Sequence, residues 1–306
     1  MSSLQSAPAA ALAADLDVAS GFTIPARHVR GRVVRLGPLL GEVLSAHAYP
    51  APIARILSEA LVMTALLGTT LKDAGGQLTL QAQTEAGIID LLVCDYRGGE
   101  LRGYVRFDRE RLAGAPALPS LAELFGTGYL AITFDQAVSG ERYQGIVPLE
   151  GSTLADAAIS FFSQSEQIPS FVKLAVDDGG RVAGGLLVQH LPEGEEGRER
   201  LHTRLDHPEW NHVDVLARTV KAGELVDPAL PLETLLWRLV HEEEVRVLQR
   251  VVLRRGCRCN YEHVKGVIAR FPRDERDAMA DENGVIKVDC EFCSSVFSID
   301  SSDLDA

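Results

Sequence analysis

Cysteine is scarce in this chain of 306 residues: there are five, and everything ahead of Cys257 holds only Cys94. A secreted disulfide framework is thereby excluded, and a reducing compartment, the cytoplasm, is expected. Long apolar runs are missing too. None approaches the eighteen residues of a membrane span, and the opening MSSLQSAPAAALAADLDVAS carries acids where a secretory signal has a basic segment. Positive charge is in short supply, with 30 Lys and Arg against 43 Asp and Glu for a net charge of −13. Residues 272–306 set ten acids against Arg273, Arg276 and Lys287, which argues against a surface that neutralises nucleic-acid phosphates. No Gly-x-x-x-x-Gly-Lys-Ser/Thr loop is present, and Gly126-Thr127-Gly128 alone makes no nucleotide site. His241 and its three following glutamates lack the second histidine of a zinc-protease helix, because Val245 stands there. The eight histidines show no catalytic pairing, so the expectation is a protein without catalytic residues, not an enzyme.

What is present is a soluble-type composition, 46% hydrophobic and 24% charged, at a length that usually divides into about two domains. Four of the five cysteines fall in two close pairs, Cys257-Arg258-Cys259 and Cys290-Glu291-Phe292-Cys293, thirty residues apart. Two short-spaced thiol pairs match a closed tetrahedral Zn²⁺ site, since soft thiolates suit that metal and four of them leave no open position. A period of two in extended chain turns Cys257 and Cys259 to one side. Three readings stay open from the residues alone. The site is a purely structural zinc knuckle, a metal-free disulfide pair, or a centre that binds zinc when reduced and loses it on oxidation. Cys94 lies inside an apolar strand and is expected to be a buried small hydrophobe.

The patterning predicts an α+β fold: a mostly antiparallel core domain with helices, a helical linker and a small C-terminal Cys₄ zinc-binding domain. Residues 1–20 read as a disordered Ala-rich tail and 21–198 as the core. RHVRGRVVRLG (27–37) reads as the first strand, and Pro52 opens a helix with Ile53, Ile56, Leu57, Ala60, Leu61 and Leu67 at the 3.6 period. QLTLQAQ (77–83) alternates as a half-buried strand, and Gly98-Gly99 joins 88–96 to 101–107 as a hairpin. Strands follow at 129–135 and 141–147, then a helix from Thr153 with Asp156 completing a capping box. Two more strands, 171–177 and 184–191, close the core before the charged break PEGEEGRER (192–200).

Residues 199–250 form the linker. Its two helices, near 209–221 and 231–244, carry apolar faces that include Trp210 and Trp237 and must rest on the core sheet, the zinc region or both. Residues 251–306 form the zinc domain. It is expected to hold a short helix at 261–269, a helix with Pro272 at its first position, and a strand–knuckle–strand unit over 285–299. So few large apolar side chains make a poor core, and the metal must supply much of its stability.

The cysteine arrangement at the end of a chain of this length resembles the heat shock protein 33 family of redox-regulated chaperones. GERYQGIVPLEG (140–151), SEQIPS (165–170), AGGLLVQHLP (183–192) and LLWRLVHEEEV (235–245) agree with it, so the likeness runs from about residue 21 to 300. The N-terminal twenty residues lie outside it, and QTEAG (83–87) departs from the Gly-rich turn expected there. The resemblance implies an ATP-independent holdase, inactive when reduced and zinc-bound, which oxidants activate to protect unfolding client proteins. It implies one Zn²⁺ on Cys257, Cys259, Cys290 and Cys293, disulfides Cys257–Cys259 and Cys290–Cys293 on oxidation, an unfolding linker and a homodimer. The acidic charge, the lack of a long apolar run and the missing phosphate loop lead to the expectation of no nucleic acid, membrane or nucleotide partner. Two readings from other classes are a thiol–disulfide oxidoreductase, which needs turnover and a low-pKa cysteine, and a zinc-stabilised binding module, active only with its metal.

Overall fold

A computed structural model describes residues 15–71, 75–138, 140–191 and 207–304. Two sheets clasp one long helix. The first sheet runs in the order β10-β1-β2-β9-β8, with a further short strand, β11, also on β1. Its long strands are β1 (Val18–Ile24), β2 (Val29–Leu36), β8 (Ser170–Val176) and β9 (Ala183–His190), paired antiparallel; β10 is Arg246–Val247 and β11 is Val251–Val252. Helices α1 (Pro38–Leu44) and α2 (Ala51–Gly68) follow β2.

The second sheet has the order β12-β5-β4-β3-β6-β7. It consists of β3 (Gln77–Glu85), β4 (Ile89–Arg97), β5 (Glu100–Phe107), β6 (Thr127–Asp135), β7 (Arg142–Pro148) and the parallel edge β12 (Arg254–Arg255). Two single-turn helices, α3 (Arg109–Ala113) and α4 (Leu121–Phe125), bridge β5 to β6. Helix α5 (Leu154–Phe161) starts at the expected box: Asp156 N–H donates to Thr153 Oγ1 at 3.3 Å, and Thr153 N–H to the Asp156 carboxylate at 2.9 Å. Mostly antiparallel pairing with helices is the fold class expected from the sequence.

Helix α2 packs on strands of both sheets, so most of its surface is buried. By length and mean hydropathy it is apolar enough to cross a membrane, a property that its interruption by Arg55 and Glu59 hides when unbroken apolar runs are sought; 72% of it is buried within the fold. Burial raises the Glu59 carboxyl above its usual range, with Arg55 acting against that.

Strand β9 is buried at every position because sheet one is covered on both faces. Val34 and Leu36 face α2 and the main core. Phe22, Ile24, Val29, Val33, Phe171, Leu186 and Val188 face the segment after residue 207. That segment forms α6 (Pro208–Arg218), α7 (Ala222–Val226) and α8 (Leu232–Val240). It lays Trp210, Val213, Ala217, Leu232, Leu235, Leu236 and Leu239 on the sheet. Each large apolar side chain buried there contributes about 1.5–3 kcal/mol before the cost of ordering the helices. The linker helices therefore rest on the core sheet. Their apolar cluster includes no described residue beyond Val245.

Several sequence expectations need correction. Residues 1–14 lie outside the described residues, but Asp15 to Ser20 have a defined structure and β1 begins at Val18, so the expected disordered tail 1–20 takes in at least six residues that belong to the fold. The first strand is β1, not 27–37, because VASGFTI with its Ser and Gly does not alternate. Its hairpin partner β2 starts at Val29, after a turn in which His28 takes φ 51°. Trp237 is 65% exposed, on the outer side of α8 against His241, so only Trp210 belongs to the buried linker face. Pro272 caps α10 (Arg273–Met279) instead of opening it. A domain boundary at 250/251 cuts a segment stitched to both sheets: β10 and β11 pair with β1, β12 pairs with β5, and Leu253 is buried in the main core. The break 192–200 lies outside the described residues.

Candidate metal and thiol centre

Strand β12 delivers the first cysteine pair. Arg254 and Gly256 N–H groups donate to the carbonyls of Gly99 and Leu101, both at 2.9 Å, so Cys257 leaves the edge of sheet two in a fixed direction. Helix α9 (Tyr261–Ile268) follows Cys259 at once, capped by the Asn260 side chain, which accepts from His263 N–H at 2.8 Å. The second pair lies between β13 (Val285–Asp289) and β14 (Val296–Asp300). In that knuckle, Cys290 N–H donates to Ser295 O at 2.9 Å and Ser294 N–H to Cys290 O at 2.7 Å, while Ser294 adopts φ 56°. The module's own core is three buried isoleucines, Ile268, Ile286 and Ile299. That is too little to hold it unaided.

The four sulfurs converge. All lie within 4.8 Å of one another, with Cys257–Cys259 at 3.2 Å, Cys259–Cys293 at 3.3 Å and Cys257–Cys290 at 3.6 Å. Tetrahedral zinc–thiolate bonds put neighbouring sulfurs about 3.8 Å apart, so the cluster has the right size and donor set for one soft divalent ion. Four thiols this close cannot all ionise without a cation. Burial and the neighbouring thiols raise Cys259, led by burial. Burial likewise raises Cys290, although the Phe292 and Cys293 N–H groups act against it. Cys293 goes the other way. Burial opposes its ionisation, but the Ser295 hydroxyl and N–H and the thiols of Cys259 and Cys257 outweigh it and bring Cys293 down to about 6. Cys293 is thus the thiol whose ionisation its surroundings favour. Cys94, wholly buried and pushed up by burial, is the inert hydrophobe expected.

The centre sits against the outer face of β3–β5. Phe292 lies under the Arg102 guanidinium, 4.0 Å from its carbon to the ring centroid, and 6.5 Å from the Tyr104 ring. Arg258, between the first two cysteines, donates to Gln77 Oε1 at 2.6 Å. His47 Nε2 is 2.7 Å from Glu291 O, and Ser294 Oγ donates to Ala46 O at 2.7 Å. Spacing marks the four cysteines but not these partners, because Gln77, Arg102 and His47 are far away in the chain. A hint existed only in Arg258 and Phe292, which are enclosed by the two motifs.

The fold and site define a class of protein: an α+β core carrying, on its C-terminal extension, a four-thiol module that could hold a metal ion. The family model described as Hsp33 protein matches residues 17–300, and the chain belongs to the Hsp33 family, bearing out the resemblance read from the cysteines. Curated relatives carry the name 33 kDa chaperonin, which makes this a family of chaperones. The one from Caulobacter vibrioides (strain NA1000 / CB15N) is 41% identical over 294 residues, covering 93% of this chain and 95% of its own. The one from Shewanella loihica is 36% identical over 290 residues, covering 95% of each. The crystal structure of the 33 kDa chaperonin (heat shock protein 33 homolog) from Thermotoga maritima superposes with a TM-score of 0.75 at 23% identity, covering 94% of this chain and 96% of that one, and shows the same fold.

Proposed function

We propose that this chain is a redox-regulated, ATP-independent holdase of the cytoplasm that protects unfolding client proteins from aggregation, works as a homodimer and catalyses no reaction. The observation that carries this is a four-sulfur cluster in a module with almost no core of its own. Cys257, Cys259, Cys290 and Cys293 are the zinc ligands in the reduced form. Zinc binding supplies the module with about 10–16 kcal/mol of apparent folding free energy.

Oxidation removes the ligands. The Cys293 thiolate attacks peroxide and becomes a sulfenic acid, one oxygen leaving as hydroxide that is protonated to water. The Cys290 sulfur then attacks Cys293, and the second oxygen leaves as water. The pair has lost two electrons to one peroxide. Cys257 and Cys259 form the second disulfide in the same way, and the module loses its fold.

The effect reaches the linker through the chain between them. Residues 241–256 join α8 to Cys257, and within them Arg250 pairs with both Asp15 and Glu233, the latter on α8. With the module unfolded, only the short strands β10–β12 and Leu253 still hold this segment on the core. The helices α6–α8 then leave sheet one and expose an apolar surface. The functional division that follows is a core to about 191, a conditional linker, and a thiol module from Cys257 onward.

The test is peroxide treatment of the reduced, zinc-loaded protein at mildly raised temperature, with zinc release and suppression of client aggregation read in the same samples. Holdase activity should rise as zinc leaves and fall when thiol reductant and zinc are restored. Activity that needs bound zinc would instead indicate a binding module, and turnover of a disulfide substrate an oxidoreductase.

A further inference from the structure

The two cysteine pairs are docked on the core by the residues they enclose, through one continuous chain of polar contacts. Arg258 donates to Gln77 Oε1 at 2.6 Å, and Gln77 Nε2 to Thr79 Oγ1 at 3.1 Å. Thr79 Oγ1 donates to Asp95 at 2.7 Å, and Arg102 Nε donates to the same carboxylate at 2.8 Å. The Arg102 guanidinium then covers Phe292. The chain crosses β3, β4 and β5 on adjacent outward positions, Thr79 opposite Asp95 and Asp95 opposite Arg102, so the sheet register fixes its span. Asp95 is 3% exposed although it is a carboxylate on the outer face of a sheet. The α1–α2 turn holds the knuckle's other side through His47 to Glu291 O and Ala46 O to Ser294.

The geometry points to a latch: the outer face of β3–β5 and the α1–α2 turn form a receiving surface for the C-x-C and C-x-x-C loops, holding them at the separation one ion requires. This rests on the metal-and-thiol reading of the four cysteines and deepens it. The core shares in setting how fast the centre gives up its metal.

The test uses the full-length, reduced, zinc-loaded chain and two readouts: the rate of zinc transfer to a chromophoric chelator, and amide-exchange protection at 257–260 and 290–295. Phe292→Ala should speed zinc transfer about 2- to 30-fold, the span from an exposed to a desolvated cation–π contact. His47→Ala and Gln77→Ala, which touch no sulfur, should each speed it about 2- to 10-fold and lower protection on the loop they hold. Phe292→Ala combined with His47→Ala should fall short of the product of the single effects, because both act on one docked loop. Wild-type transfer rates and protection in both core-side variants would overturn the latch. If Phe292→Ala fails to hold zinc at all, the core-side variants decide. If the wild-type chain binds no zinc, the proposed function fails; protection at 290–295 in that metal-free chain that His47→Ala lowers would still support the latch, and absent or unchanged protection would overturn it.

Discussion

The guanidinium of Arg35, wholly buried in β2, donates to the carbonyl of Leu230 at 2.8 Å, just ahead of α8. The same group donates to Leu225 O at 2.9 Å and Glu224 O at 3.0 Å at the end of α7. Burial lowers its basicity, with Asp15 and Asp227 acting against that, yet a guanidinium stays charged. One core side chain therefore satisfies three carbonyls of the linker. Arg35→Leu should keep the volume but leave those carbonyls unpaired, at a cost of about 3–5 kcal/mol. The expected result is loss of amide protection across 208–240 in the reduced, zinc-loaded protein while sheet two stays protected. Unchanged protection there would show that the apolar face alone holds the linker.

Linker docking also leaves space. An apolar void lies between α6, α8 and sheet one, lined by Phe22, Leu186, Val213, Ala217, Leu236 and Leu239 among others. Ala217→Val adds two methyl groups facing it, a gain of about 1 kcal/mol after the helix-propensity loss of a β-branched residue. The variant should need a higher temperature than wild type before peroxide-treated protein suppresses client aggregation. An unchanged or lower threshold would mean that the void closes by itself.

The two tryptophans separate cleanly. Trp210 is 7% exposed and Trp237 65%. Trp237→Phe should change stability by no more than about 0.5 kcal/mol, as surface substitutions do. It should leave a single blue-shifted emission from Trp210. On oxidation at raised temperature that emission should shift to the red in step with holdase activity. A Trp210 signal that stays blue while clients are held would show that α6 remains docked in the active form.

Much of this was legible in the sequence, for physical reasons that can be named. Alternation in 77–83 and the Gly98-Gly99 turn fixed β3 to β5, and the capping box at Thr153 fixed the start of α5. The four cysteines stood out because their spacing restricts what they can do. Strand β1 was hidden because burial on both faces erases alternation. Trp237 was misplaced because one apolar residue in a stretch as apolar as 232–240 carries little directional information. The docking surface of the knuckle was out of reach: His47 and Glu291 are 244 residues apart, and no local pattern joins them.

In the metal-free reduced protein the thiols should titrate apart. Cys293 ionises at about 6 instead of the ordinary 9. A thiol depressed on folding adds stability that is fully present above the unfolded value near 9 and is lost as pH falls through about 6. Whatever order the knuckle keeps without its metal should therefore decline as pH falls from 9 to 6. Alkylation mapped by mass spectrometry should half-label Cys293 near pH 6, with Cys259 and Cys290 reacting only at higher pH. Equal labelling of all three at every pH would contradict the hydrogen bonds from Ser295.

That asymmetry bears on the order of oxidation. Cys293 is the thiolate poised to attack peroxide, and its nearest sequence partner is Cys290, whose bridge closes a larger ring than one between Cys257 and Cys259. Residues two apart give the more strained and more easily reduced disulfide. Ser295 should matter for the same reason, since it holds the Cys293 charge. Mild peroxide with timed quenching should trap Cys290–Cys293 while Cys257 and Cys259 are still reduced, and Ser295→Ala should slow that first step several-fold. Early Cys257–Cys259 with Cys290 and Cys293 reduced would reverse the order and place the sensitive thiol in the first pair.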